Sequence, residues 1–214
     1  DVHGKNHHLM GNFGHHVRQF ELLRSDGSRR VLSSQSDEDG LFSATLGGLG
    51  LTGLITWAEL QLRRVPGPWL ESESVRFGNL DEFFALSTAS AATHEYTVAW
   101  IDCLASGQRL GRGHFLRSDH AAPDPADCPP IRHSGRTMPF TPPFSLVNTL
   151  SLRAFNMLYY WRQPARHKRT VSHYRPYFYP LDGIGHWNRM YGPRGFMQHQ
   201  CVLPPAHARD GVAA

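Results

Sequence analysis

The chain has 214 residues, 40% of them hydrophobic and 11% aromatic, which is enough for a sizeable core and excludes a disordered or collagen-like polymer. No apolar run reaches the roughly 18 residues that span a bilayer as a helix, and three widely separated cysteines (Cys103, Cys128, Cys201) exclude a disulfide scaffold and a CxxC metal site. The net charge of +4 is uneven: residues 1–103 hold 8 basic and 13 acidic side chains, a balance of −5, whereas residues 104–214 hold 14 and 5, a balance of +9. A basic half suits a phosphate, an anionic lipid surface or a nucleic acid. Arginine supplies 20 of the 22 cations, however, a bias that coding composition alone produces on a plain solvated face. No RNA- or DNA-binding signature supports a nucleic-acid partner, and none is expected.

In chain order, residues 1–16 are a glycine-rich loop holding Gly4, Gly11, Gly14 and five histidines. Val17, Phe20, Leu22 and Leu23 read as a strand, Ser25-Asp26-Gly27 as a turn, and Val31-Leu32 as the return strand of a hairpin. Ser36 is placed to N-cap a short helix with Asp37, Glu38 and Asp39 in its first turn and Leu41, Phe42 and Leu46 on its apolar side, stopped by Gly47-Gly48. Residues 53–65 alternate as a long strand. Pro66-Gly67-Pro68 forbids both helix and ladder, so a boundary divides residues 1–65 from 66–214. Residues 80–92 then read as a helix, 96–103 and 109–117 as strands, 119–144 as a proline-rich loop, and 146–161 as a helix. Short strands and aromatic-rich turns follow, closing on a strand over 198–203. With no repeat and no βαβ alternation, the fold class is α+β with antiparallel sheets.

Gly48-Leu49-Gly50-Leu51-Thr52-Gly53 matches G-x-G-x-x-G. The dinucleotide fingerprint needs a strand before it and a helix after it, so that pyrophosphate rests on a helix N-terminus. Here the order is reversed, which leaves a glycine turn that lets backbone approach a ligand closely. Among the histidines, His3, His7, His8, His15 and His16 cluster in sequence, but H-E-x-x-H is absent and adjacent pairs point apart when extended. They read as polar loop residues, one or two of them facing a ligand, and no metal site is expected. No nucleophile elbow, P-loop or paired-carboxylate spacing supports a hydrolase or phosphotransferase. Tyr159-Tyr160-Trp161, Tyr174, Tyr177, Phe178, Tyr179, Trp187 and Tyr191 are either core packing or a wall for a flat or greasy ligand, beside the polar Gln198, His199 and Gln200.

The run Asp1-Val2-His3-Gly4-Lys5-Asn6-His7-His8, with Gly11-Asn12-Phe13-Gly14-His15-His16-Val17 after it, resembles the flavin-domain segment of the vanillyl-alcohol-oxidase superfamily of FAD-dependent oxidoreductases. The likeness continues through Leu41-Phe42 and the glycine turn to Gly53, then at Ala99-Trp100-Ile101-Asp102, Leu110-Gly111-Arg112, Pro180-Leu181-Asp182 and Trp187-Asn188-Arg189 through Gln200. It is weakest over 119–170. The resemblance implies that residues 1–65 are the second part of a PCMH-type FAD-binding domain and residues 66–214 most of an antiparallel-sheet substrate domain. The first part of the flavin domain and a C-terminal segment with an active-site lysine are then expected to lie outside this chain.

The same resemblance assigns Asp1, Val2, His3, Gly4, Gly50 and Ile55 to the cofactor FAD. It places His3 and Lys5 at the isoalloxazine and sugar as catalytic candidates. Trp100, Phe178, Arg189, Gln198 and Gln200 fall to the substrate pocket, where arginine pairs with phosphate and glutamine amides bond sugar hydroxyls. Phe178 departs from the family, which more often has tyrosine there. The implied reaction turns a secondary alcohol of a polyprenyl-phosphate pentose, an arabinan precursor of the cell envelope, into a ketone. A soluble sugar or aldonolactone is the alternative substrate. A non-catalytic or nucleic-acid-binding segment using the basic half is the alternative of another class. The implied partners are a lipid-linked or small sugar, a membrane surface, and a reductase acting on the keto product. The implied location is cytoplasmic or periplasmic, peripheral to the inner membrane and not across it.

Overall fold

The computed structural model describes residues 9–130, 135–198 and 201–213. The chain folds as two compact units, Asp1–Val65 and Pro66–Ala214. Each contains one antiparallel sheet with a few helices, an α+β architecture.

In the first unit β1 (Val17–Leu23) buries Val17, Phe20 and Leu22 and pairs antiparallel with β2 (Arg29–Ser33) and β3 (Leu54–Leu60), in the order β2-β1-β3. The hairpin turn closes because Gly27 adopts φ 81° and the Asp26 carboxylate accepts the Ser28 amide at 2.9 Å. Helix α1 (Leu41–Thr45) stacks Phe42 on Phe20 at 5.1 Å and completes a core with Val17, Leu22 and Leu32. Its start differs from the expected one. Ser36 bonds Ser33, whereas the longer, two-oxygen carboxylate of Asp37 accepts the amides of Phe42 (2.7 Å) and Ser43 (3.0 Å) and the Ser43 hydroxyl (2.6 Å). That hydroxyl bond holds the Asp37 carboxyl below its ordinary range. The strand expected over 53–65 stops at Leu60, where its ladder with β1 ends on Val17.

The second unit is built on a strand that the sequence pattern does not reveal. β4 (Trp69–Phe77) lies between β6 (Gly113–Ala121) and β7 (His167–His173), and β5 (Tyr96–Ile101) completes the order β5-β6-β4-β7. Burial along β4 changes phase, from Leu70 and Ser72 to Val75 and Phe77, so no single apolar period marks it. β6 begins at Gly113 rather than near 109, because Gly107 (φ 61°) and Gly111 (φ 72°) turn the chain first.

Helix α2 (Leu80–Ala91) is capped by Asn79, whose side chain accepts the Glu82 amide, and packs Phe83 against Phe77 and Phe115 on one sheet face. Helix α3 (Thr149–Trp161) covers the other face and starts at a capping box between Asn148 and Ser151. Two shorter helices follow, α4 (Tyr174–Phe178) and α5 (Pro205–Ala213). In place of the strand expected over 198–203, Gln198 and residues 201–203 have no ladder partner among the described residues. Among the described residues no helix is long and apolar enough to cross a membrane.

Candidate functional site

The sheet face under α3 gathers the motif fragments that lie far apart in sequence. Trp100 on β5 sits 4.6 Å from the Tyr159 ring and 6.0 Å from the ring of His114, its ladder partner on β6. Strands β5 and β6 approach so closely there that a side chain at Gly113 would collide with the Trp100 carbonyl. His114 is 1% exposed, and its Nε2 bonds the carbonyls of Tyr160 (3.0 Å) and Tyr159 (3.2 Å) near the end of α3. Nε2 must carry a proton to donate to these carbonyls, and Nδ1 is buried with no hydrogen-bond partner among the described residues, which favours the neutral Nε2–H tautomer. Burial pushes the His114 pKa below its ordinary value of 6.5, and the two carbonyl bonds oppose that shift without reversing it.

Asp102 anchors the same region. Its buried carboxylate accepts Arg112 through Nε (3.0 Å) and Nη2 (2.9 Å) and the Asn156 amide at 2.7 Å, tying β5 and the turn before β6 to α3. The Arg112 guanidinium also lies 4.6 Å above the Tyr160 ring. Asp102 and Arg112 belong to two separate motif fragments, and the structure makes them partners. Their sequence fragments give no sign of this pairing, and His114 is not marked out in the sequence at all. The usable signal is parity, because His114 shares the inward face of β6 with Ser118.

Phe178 at the end of α4 meets Tyr96 edge-on at 5.0 Å and Tyr177 at 5.1 Å. Tyr96 is on the same face of β5 as Trp100, about 13 Å along the strand. Trp100 and Phe178 therefore stand on one sheet face. Arg189 lies in a 3-10 turn, and its Nη1 donates to the carbonyls of Met138 (2.8 Å) and Pro139 (3.0 Å). Gln198 is exposed outside any strand. Asp1, Val2, His3, Gly4, Lys5 and Gln200 lie outside the described residues. The aromatic concentration separates into clusters around Trp100 and around Phe178, and a third of Trp187, Tyr191 and Phe196, where Tyr191 and Phe196 stack at 4.1 Å.

In the first unit the glycine turn joins α1 to β3, so the helix-before, strand-after order holds. A side chain at Gly48 would strike the Ala44 carbonyl. Gly53, at φ 148°, would bring a Cβ within 2.6 Å of the Leu23 carbonyl oxygen. Gly50, at φ 76°, has no atom of the described residues within 4 Å of where its Cβ would be, so among these residues its main chain is open to a ligand. Leu49 and Leu51 on either side are 91% and 87% exposed, and β3, including Ile55, is exposed throughout. An open glycine backbone beside an uncovered apolar strand fits a large flat cofactor at Gly50 and Ile55.

A polar cleft of about 430 Å³ lined by Glu71, Glu73, Arg117, Asp119 and Arg169 lies on the other face of the larger sheet, away from Trp100. Burial alone would raise the Glu73 pKa, but its bonds to Arg117 (2.7 Å) and His167 (3.1 Å) outweigh that and lower it. Among the described residues no three His, Cys, Asp or Glu side chains are grouped to hold a metal ion.

No family model matches the chain. It is 35% identical over 212 residues to a decaprenylphosphoryl-β-D-ribose oxidase of Mycolicibacterium smegmatis, across 95% of this chain and 46% of that protein. It is 43% identical over 124 residues to an uncharacterised protein in the mprA 5′ region of Streptomyces coelicolor, across 58% of this chain and 33% of that one. The chain thus spans about half the length, or less, of these relatives.

Proposed function

We propose that this chain, a relative of decaprenylphosphoryl-β-D-ribose oxidase along nearly its whole length, is a segment of an FAD-dependent oxidoreductase that converts a secondary alcohol of a polyprenyl-phosphate pentose to a ketone. The observation that carries the reading is the 35% identity across 95% of the chain with a protein named for such a substrate. On this reading Asp1–Val65 is the second part of a PCMH-type FAD-binding domain and Pro66–Ala214 most of the substrate domain. When bound, FAD supplies the acceptor for the hydride that leaves the carbinol carbon.

The chain's own residues bind and orient. Main chain at Asp1, Val2, His3 and Gly4, with Gly50 and Ile55, holds the cofactor, and the open space beside Gly50 supports that role. His3 or Lys5 would supply the basic group that takes the proton of the reacting hydroxyl. Trp100 and Phe178 supply apolar walls that exclude water, and Trp100 is held in place by His114 and Tyr159. Arg189 offers the nitrogens not engaged by Met138 and Pro139 to the substrate phosphate, and Gln198 and Gln200 bond sugar hydroxyls. A separate reductase then acts on the keto product.

The test uses the full-length protein. Visible absorbance reports bound flavin, and steady-state turnover compares a polyprenyl-phosphoryl pentose with free pentoses. The expected result is stoichiometric flavin and a strong preference for the lipid-linked sugar. Equal rates on free pentoses would overturn the substrate, and a colourless, inactive protein would overturn the class.

A further inference from the structure

A lipid-phosphate substrate has to be met at a bilayer, and α3 carries a feature that binding and oxidation of the sugar leave unused. The helix is inverted relative to an ordinary surface helix. Toward the sheet it buries Asn156, bonded to Asp102, and Tyr160. Toward solvent it presents Leu150 (80% exposed), Leu158 (70% exposed), Met157 and the half-exposed Trp161, one side of whose ring packs on Arg76 at 4.6 Å, with exposed Phe155 beyond Leu158. At about 100° per residue Leu150, Met157, Leu158 and Trp161, with Ala154, fall within an arc of about 100° along a helix about 20 Å long. Exposed Arg153 and Arg162 lie about 40° beyond its two borders, and Arg162 still has helical backbone (φ −58°, ψ −21°). The stripe sits within residues 128–181, which hold eight lysines and arginines and no aspartate or glutamate.

We propose that the outward face of α3 is an interfacial docking surface for an anionic lipid bilayer. The helix lies in the plane of the headgroups, with Leu150, Met157, Leu158 and Trp161 in the acyl boundary. Arg153 extends along one flank to lipid phosphates, and Arg162, whose guanidinium rests over the Tyr159 ring at 3.7 Å, swings out along the other. Charge decides the occupant: an exposed apolar stripe flanked by arginine, in a run of residues 128–181 that carries no aspartate or glutamate, complements lipid phosphate above acyl chain. A nucleic acid would leave the apolar stripe unused. The inference rests on the reading that the substrate is lipid-linked, because that reading requires a bilayer encounter.

The experiment is cosedimentation of the full-length, flavin-loaded protein with vesicles of equal parts phosphatidylglycerol and phosphatidylcholine, or of phosphatidylcholine alone. Binding is expected to the anionic vesicles and to fall about tenfold or more in Leu158→Glu/Trp161→Glu. In Arg153→Gln/Arg162→Gln it is expected to fall about 30-fold. Brominated lipid quenches Trp161 fluorescence, and Trp161→Phe removes that quenching while still binding vesicles. The proposal is overturned if the wild-type protein ignores anionic vesicles, if both double variants bind as well as wild type, or if the arginine pair serves RNA binding alone. Turnover of a water-soluble, short-chain phosphoryl pentose separates the two readings. Full turnover without vesicle binding sinks the docking face alone, whereas vesicle binding without turnover of any pentose sinks the oxidase reading.

Discussion

A neutral imidazole under two peptide carbonyls joins Trp100 to the end of α3, and pH governs how well it does so. Burial holds the folded pKa of His114 below 6.5, so at acid pH the unfolded chain takes up a proton that the folded ring refuses. The stabilisation is complete above about pH 6.5 and is lost as pH falls from there toward the folded pKa, at most about 1.4 kcal/mol per pH unit for one proton. Thermal melts of the wild type are therefore expected to fall in this window. His114→Gln, which keeps an N–H for the carbonyls and cannot titrate, should flatten that slope. An equal slope in the variant would place the pH dependence elsewhere. A second prediction concerns Phe178, half-buried against Tyr96. If Phe178 lines the proposed substrate pocket, Phe178→Tyr should lower KM for the proposed sugar about three- to tenfold through one added hydrogen bond. The melting temperature should change little, and steady-state kinetics with matched melts check both.

Among the elements, helices α2 and α3 were legible from their apolar spacing, but their caps were not. Asn79 and Asn148, short side chains that accept amides in the first turn, are seen as caps only in the structure, and α3 starts at Thr149 rather than 146. Replacing Asn148 with Ala should cost about 1 kcal/mol in denaturant unfolding. β4 was not legible because its inward positions include serines and charged residues satisfied by neighbours, such as Ser72 by Ser118 and Glu73 by Arg117. A hydrophobic period cannot signal a strand whose interior is partly polar. The glycine turn shows the opposite case, where the sequence indicated close backbone approach and the structure separates two kinds of glycine. Gly53→Ala forces a Cβ against the Leu23 carbonyl and should cost about 2–3 kcal/mol. Gly50→Ala meets open space and should cost about 1 kcal/mol. If the Gly50 backbone faces the cofactor, Gly50→Ala in the full-length protein should weaken flavin retention more than its small stability loss explains. Fluorescence titration of the apoprotein against denaturant melts makes that comparison.

At the scale of the whole molecule, the candidate residues divide between the two units: Gly50 and Ile55 in the first, Trp100, Phe178, Arg189 and Gln198 in the second. Sequence could name them only through motif likeness, because sheet register and the pairing of Asp102 with Arg112 arise from contacts between distant segments. The first unit has a small core of Val17, Phe20, Leu22, Leu32 and Phe42, while every residue of β3 is exposed. Ile55 and Leu60 on the face of that strand shared with Leu22 and Val17, and Leu54 and Trp57 on its other face, are exposed apolar side chains of the kind that normally have a partner. The relative that matches 95% of this chain is about twice as long, so it has further sequence to supply such cover. Residues 1–214 purified alone are therefore expected to bind an apolar dye strongly and to keep little flavin through gel filtration, whereas the full-length protein does the reverse. Stoichiometric flavin on the isolated segment would mean that the turn at Gly50 and the residues before it hold the cofactor unaided, and that the exposed face of β3 serves something other than the rest of a flavin domain.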